Sequence, residues 1–127
     1  MKWIRNKRGQ ALVELALVLP VFLLLLGGVV ETSRVFFTYL TVNHAAREGA
    51  RLGVVGYDEI NIMTKIKDSA NGLSEELIEV EVSPINPSRG SHLTVKVSYP
   101  VQIYMPVISQ IFDNPQWVYG DATMRVE

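Results

Sequence analysis

The 127-residue chain contains no cysteine, which excludes a disulfide framework, a thiolate zinc site and a thiol nucleophile. The sequence also lacks the short motifs of phosphate loops, zinc proteases, calcium loops and nucleophile elbows. Its adjacent acidic pairs, Asp58 with Glu59 and Glu75 with Glu76, should diverge on a helix or turn, which favours solvated surface charge over a catalytic dyad. The sequence therefore predicts a protein that is not an enzyme and that uses no cofactor and no metal.

Charge is scarce in one part of the chain and one-sided in another. Four of the 12 basic residues lie within the first nine positions, namely Lys2, Arg5, Lys7 and Arg8. The remainder of the chain holds 8 basic and 13 acidic residues and is therefore net acidic. This asymmetry indicates a targeting segment at the N-terminus rather than a basic surface for nucleic acid, so no nucleic-acid partner is expected.

A long apolar run follows the basic segment. Residues 10–30 read QALVELALVLPVFLLLLGGVV, with Glu14 as the single charge. At 1.5 Å per residue, this run matches a hydrocarbon core roughly 30 Å thick, so the lipid bilayer is a predicted partner. The basic flank before the run and Glu31 after it predict that residues 1–9 stay in the cytoplasm and that the chain beyond Val30 is exported.

Three segments of the chain resemble a known family. They are RGQALVELALVLPVFLLLLGGVVETSR at 8–34, NHAAREGAR at 43–51 and ATMRVE at 122–127. These segments resemble the TadE-like pseudopilins of tight-adherence (Flp, type IVc) pili. The resemblance implies a minor pilin that prepilin peptidase, a membrane aspartic peptidase, cleaves after Gly9. Gln10 would then become the first residue and Glu14 the fifth, where it serves in recognition, while Leu15 departs from the aromatic residue that is common in the family at that position.

The resemblance also implies where the protein acts and with what. The expected partners are prepilin peptidase, other pilins and minor pilins, and the pilus assembly platform of the inner membrane. The expected location is the bacterial cytoplasmic (inner) membrane as a single-pass protein, followed by incorporation in an extracellular pilus. The alternative is an uncleaved, single-pass membrane-anchored module with an extracytoplasmic binding or assembly role. Intact-mass measurement separates the two, because only processing removes residues 1–9.

Glu14 places a carboxylate in an apolar helix, which costs about 2.5 to 3.5 kcal/mol at mid-bilayer and less near the interface. After cleavage, the free amine of Gln10 could pair with Glu14 of the same or a neighbouring subunit and set the axial register of subunits. The other interpretation is a tolerated interfacial glutamate without a partner. Pro20, with Gly27 and Gly28, predicts soft points where the helix loosens on moving from lipid into a filament, or else an ordinary transmembrane kink.

The pattern of apolar residues predicts an α+β fold in four parts, and the resemblance implies that this fold is pilin-like. These are a basic leader at 1–9, a transmembrane segment at 10–30, an exported stem helix at 31–53 and an α+β head at 54–127. The long helix should run from Gln10 to Leu52 and end at Gly53 and Gly56. One stem face should be covered by the head, through the apolar stripe Val35, Tyr39, Val42, Ala46 and Gly49.

A second small-residue track on the stem allows close approach of either the head sheet or another pilin stem. It consists of Ala45, Gly49 and Gly53. In the head, a short helix after the N-cap Asp58 should present the apolar side chains Ile60, Met63, Ile66 and Ala70.

Alternating apolar and polar residues predict an antiparallel sheet of three strands, at 77–83, 93–99 and 117–126, with Gly120 marking a bulge. The segment 100–115 is rich in apolar residues but is interrupted by Pro100, Pro106 and Pro115, which leaves its conformation open. An exposed part of this segment would be the best candidate on the head for a partner surface.

Overall fold

The computed structural model describes residues 7–127. Residues 1–6, which include Lys2 and Arg5 of the predicted leader, lie outside the described residues. The elements, in chain order, are α1 at Lys7–Val54, α2 at Glu59–Ser69, β1 at Glu79–Ser83, β2 at His92–Val101 and β3 at Gln116–Arg125. Single 3-10 turns lie at Glu75–Leu77 and Ile108–Gln110. The predicted α+β class, with a long N-terminal helix, a short helix and three antiparallel strands, is confirmed.

Helix α1 is a single element of 48 residues, and Pro20 lies inside it without ending it. It already includes Lys7, the first described residue, and so extends beyond the predicted start at Gln10. A run of leucine, alanine and valine side chains favours a helix in an apolar environment, where every backbone group must find an internal partner. The helix ends at Val54, and Gly56 follows with φ of +94°, a left-handed conformation that glycine adopts at little cost.

The sheet has the order β1-β2-β3, with both pairs antiparallel. The predicted strands are present, with ends shifted by two residues or fewer. The central strand β2 continues through Pro100 to Val101, although proline cannot donate a ladder hydrogen bond. This is tolerated because pairing with β1 stops at Ser98, so one edge of β2 is already open at Pro100.

The C-terminal half of α1 lies at the centre of the core of the head. It packs on β2, β3 and α2. The fully buried side chains come from α1, from α2 and from the sheet and include Val42, Ala46, Ile66, Leu93, Val95 and Val97. At about 25 cal/mol per Å² of buried apolar surface, this burial is the main source of stability for so small a head.

The small-residue track on α1 is covered by the protein's own head. A Cβ atom on Gly49 would lie 2.6 Å from Ile66, and one on Gly53 would overlap Leu93. The first interpretation, contact with the head, is therefore the correct one, and the track is not free to meet another pilin stem. Its partners are α2 and β2 together rather than the sheet alone.

Three details of the predicted faces were wrong. Tyr39 is 48% exposed, and the buried stem face includes Thr38 in its place. In α2, Ile60 is exposed and Ile62 is buried, because α1 approaches α2 from the side of Ile62 and Ile66. The β2–β3 register runs without a bulge through Gly120, which instead lies directly against the backbone of α1.

Candidate functional site

The N-terminal half of α1 exposes apolar side chains on all of its faces. Every large apolar side chain from Leu12 to Val30 is exposed, and none of the most apolar 18-residue window is buried within the molecule. The head packs mainly on the C-terminal half of the helix and meets this part only near its end, where Met105 contacts Gly27. One long apolar helix of this kind fits single-pass membrane anchoring.

The exposed apolar surface extends past Val30 into the stem. The side chains Phe36, Phe37, Tyr39 and Leu40 are between 48% and 60% exposed. From Leu12 to Leu40 the helix rises about 42 Å, whereas the hydrocarbon core of a bilayer is about 30 Å thick. A single membrane therefore cannot cover all of this surface.

The residues predicted for peptidase recognition all lie near the N-terminal end of α1. Gly9, Gln10 and Glu14 are exposed, and the Nε2 of Gln10 donates a hydrogen bond to the Oε1 of Glu14 at 3.1 Å. The structure thus brings Gln10 and Glu14 together across one turn of helix. Pairing between the Gln10 amine and Glu14 stays a prediction.

The residues predicted to give the helix flexibility have different surroundings. Pro20 lies within the exposed helix, and a Cβ on Gly28 would meet no atom within 4 Å. A Cβ on Gly27, by contrast, would overlap the Cε and Sδ atoms of Met105. The absence of a side chain at Gly27 therefore lets Met105 of the head pack against α1. The flexibility predicted for Gly27 stays a prediction.

Replacing Gly27 with valine is expected to displace Met105 and loosen the segment that carries it, at a cost of about 1 kcal/mol because a flexible side chain can partly adapt. Amide hydrogen exchange of residues 102–112 in the membrane-reconstituted chain measures the effect. Gly28→Val is the matched control, since its site is open. Equal exchange in the two variants would show that the Met105 contact contributes nothing.

The head is joined to the exposed helix through a buried carboxylate. Glu31 is only 8% exposed, and its Oε1 accepts hydrogen bonds from the backbone N–H groups of Tyr104 at 2.9 Å and Met105 at 3.2 Å. Its Oε2 pairs with Arg34 at 2.9 Å, the one ion pair formed in the stretch 7–127. We call Glu31, Arg34 and the segment 102–112 the junction, and that segment the junction loop.

Arg34 and Asn114 complete the attachment of the junction loop. Arg34 donates to the carbonyl of Gln102 at 3.2 Å, and its guanidinium lies 4.6 Å from the centre of the Tyr104 ring. The side-chain amide of Asn114 bonds both the N–H and the carbonyl of Ile103 at 3.1 Å. The loop that the sequence left undecided is thus fixed by charged and amide side chains at its ends.

Two apolar grooves run along α1 beside the junction. The larger, of about 820 Å³, lies between α1 and the junction loop and is lined by Leu24, Leu25 and Val29 on the helix and by Ile103, Ile108 and Phe112 on the loop. The smaller, of about 440 Å³, is lined by Phe36 and Tyr39 of α1 and by residues 116–119 of β3. Both grooves are open surfaces suited to apolar neighbours.

The sequence predicted a role for Glu31 in topology alone, and its role in the junction was missed. The available signal was an acidic residue at the end of the apolar run, with Arg34 three positions on. That spacing indicates an ion pair but not its burial or its bonds to residues 104 and 105. In residues 7–127, no three histidine or acidic side chains lie close enough together to hold a metal ion. The hydrogen bonds and the ion pair of the junction attach the loop to α1.

The fold and these surfaces define a class, namely a protein that has, within residues 7–127, one long apolar helix fit for single-pass membrane anchoring and an α+β head built around the C-terminal part of that helix. The family model described as TadE-like protein matches residues 9–51, and this confirms the resemblance over that part of the chain. No curated protein and no solved structure matches the chain. The TadE-like match suggests involvement in a tight-adherence pilus and a structural rather than enzymatic family.

Proposed function

We propose that the chain is a minor pilin, or pseudopilin, that prepilin peptidase cleaves after Gly9 and that contributes to assembly of a tight-adherence (Flp, type IVc) pilus. The observation that carries the proposal is the length of the exposed apolar surface of α1, combined with the TadE-like match over residues 9–51. Under this proposal residues 1–9 are the leader, 10–30 span the membrane with the N-terminus in the cytoplasm, 31–53 form the stem and 54–127 the exported head.

The apolar surface of the stem supports packing against other subunits. The rings of Phe36 and Tyr39 stay uncovered beyond the reach of the bilayer and border the smaller groove together with Tyr119, which is 67% exposed. Exposed aromatic clusters of this kind mark protein interaction sites. The helices of neighbouring pilins carry the same kind of apolar surface and would cover these rings. We expect this contact to form at the assembly platform.

The geometry near Gly9 supports processing. The bond between Gly9 and Gln10 lies near the N-terminal end of the described part of α1, where residues 7–10 are all exposed. A peptidase can therefore approach this bond without displacing the head. Cleavage would create an amine on Gln10, one turn from the exposed carboxylate of Glu14 that the Gln10 side chain already contacts.

Processing is tested by the intact mass of the membrane-associated protein in cells with and without prepilin peptidase. We expect residues 1–9 to be lost only when the peptidase is present. Gly9→Val should block this loss without disturbing the fold, because no atom of the described residues 7–127 lies within 4 Å of a Cβ at Gly9. A chain that keeps residues 1–9 with active peptidase would instead support the uncleaved membrane-anchored module.

Glu14→Ala is expected to insert in the membrane normally but to lose about tenfold or more of its recovery with pilus components. The reason is that a charge-assisted hydrogen bond contributes about 1.5 to 3 kcal/mol, and 1.4 kcal/mol is a factor of ten in affinity. Co-purification with tagged pilus subunits measures the loss. Glu48→Ala is the control, because Glu48 lies on the same helix and forms no ion pair within residues 7–127. Recovery of Glu14→Ala at the normal yield would contradict the role in subunit register.

A further inference from the structure

The junction loop exposes large apolar side chains at the foot of the head. Tyr104 is 74% exposed, Val107 51%, Ile111 72% and Phe112 58%. The chain has no charged residue between Lys96 and Asp113, so the loop is apolar without a charged rim of its own. Contiguous exposed apolar side chains mark a surface that contacts a partner or a membrane.

The position of the loop along α1 favours a membrane over a protein partner as the surface that the loop contacts. Met105 packs on Gly27, which precedes Glu31 by four residues, or about 6 Å of helix. If the cytoplasmic edge of the hydrocarbon core lies near Gly9, then a core of about 30 Å ends near Val29. The Met105 end of the loop is therefore level with the outer edge of the hydrocarbon, inside the 10–30 segment.

The loop and the membrane-facing helix form one continuous apolar surface. The larger groove is lined jointly by Leu24, Leu25 and Val29 of α1 and by Ile108 and Phe112 of the loop. Leu25 and Val29 are themselves 65% and 64% exposed, as expected of side chains that face lipid. Lipid that covers α1 at this level also reaches the loop.

The backbone of the loop is suited to a poorly hydrated site. The N–H of Ser109 bonds the carbonyl of Met105 at 2.9 Å, and the N–H groups of Ile111 and Phe112 both bond the carbonyl of Ile108 at 3.1 Å. The N–H groups of Tyr104 and Met105 bond Glu31. Such internal pairing removes most of the cost of taking a loop backbone out of water.

From these observations we propose that the junction loop is a second membrane-contacting element, which inserts Val107, Ile111 and Phe112 into the acyl–headgroup boundary of the outer leaflet. The loop would hold the head at a fixed height and rotation over the bilayer, much as amphipathic elements insert about 5 to 10 Å into this boundary. The proposal needs only the membrane span of α1 and holds whether or not residues 1–9 are removed, so it can fail independently of the proposed pilus function.

The absence of native cysteine makes a labelling test direct. The full chain with Ile111→Cys is labelled with an environment-sensitive fluorophore and reconstituted in vesicles of phosphatidylethanolamine and phosphatidylglycerol. Ile60→Cys is the matched control, because Ile60 is 73% exposed and Ile111 72%, and Ile60 belongs to α2 in the head. Iodide is present on both sides of the vesicle, so that both orientations of the protein are sampled.

We expect the iodide quenching of the label at position 111 to be several-fold weaker than at position 60. Lipids that carry a doxyl group high on the acyl chain should quench the label at 111 and not at 60. Equal iodide quenching at both positions would overturn the proposal. Protection at 111 without doxyl quenching, increasing with protein density, would overturn it too and would indicate a second copy of the chain as the occupant. Phe112→Cys gives an independent repeat and should behave as position 111 does.

Discussion

Replacing Gly120 with alanine is expected to destabilise the head by about 3 kcal/mol, the upper part of the range for an overpacked core. A Cβ at this position would lie 2.7 Å from the carbonyl carbon of Val42 and from the backbone N of Asn43. These are main-chain atoms inside α1, which cannot rotate aside as the end of a side chain can. Either β3 or α1 would have to shift, and the core between them would open.

The expected loss is a large part of the free energy of unfolding of the head. Domains are stable by roughly 0.05 to 0.15 kcal/mol per residue, so a head of about 75 residues has roughly 4 to 11 kcal/mol. Amide hydrogen exchange of β2 and β3 in the reconstituted full chain measures the change. A loss of 3 kcal/mol corresponds to about a hundredfold faster exchange in the slowest amides.

Gly28→Ala is the matched control for this experiment. The change adds the same methyl group, but no atom lies within 4 Å of the new Cβ. Exchange in the head should therefore be unchanged. If Gly120→Ala exchanged as slowly as the original chain, then α1 and β3 would not approach as closely as the structure has them.

Replacing Glu31 with alanine should release the junction loop from α1, at a cost of about 3 kcal/mol. The change removes the acceptor of two backbone N–H groups, those of Tyr104 and Met105, and leaves Arg34 without its carboxylate. Breaking a fully buried pair costs about 3 to 5 kcal/mol, and Arg34 is 38% exposed, so water recovers part of the loss.

The effect should be local. Exchange of the Tyr104 and Met105 amides should become much faster, while the amides in the middle of β2 and β3 keep their protection. Glu31→Gln should recover about half of the loss, because its amide oxygen can still accept from the loop while the charge that attracts Arg34 is gone. Glu48→Ala serves as the control on the same helix. Uniform loss of protection across the sheet would show that Glu31 stabilises the whole head rather than the junction.

Much of the fold follows from local patterns in the sequence. The apolar run predicts a membrane-length helix, and the alternation at 77–83, 93–99 and 117–126 predicts strands that the structure contains. These signals are reliable because the repeat of a helix or strand shows in neighbouring residues alone. The faces were harder to predict, as Tyr39 and Ile60 show, since each face depends on the direction from which another element packs.

The functional surfaces divide in the same way. The residues predicted for peptidase recognition, Gly9, Gln10 and Glu14, come from a resemblance carried by contiguous sequence, and the family match covers that segment. The role of Glu31 in the junction could not be predicted, because its partners Tyr104 and Met105 lie 73 and 74 positions away. The residues next to Glu31 in the sequence do not indicate which loop will contact it in the folded protein.

The sequence by itself determined that this protein has one apolar helix of membrane length, a basic N-terminal flank and a small α+β head, because hydropathy and periodicity are properties of adjacent residues. Only the tertiary structure decided that Gly120 meets the backbone of α1, that Met105 packs on Gly27 and that Glu31 fixes an apolar loop against α1. Those contacts join residues far apart in the chain, and they exist only after the strands have paired and packed on the helix.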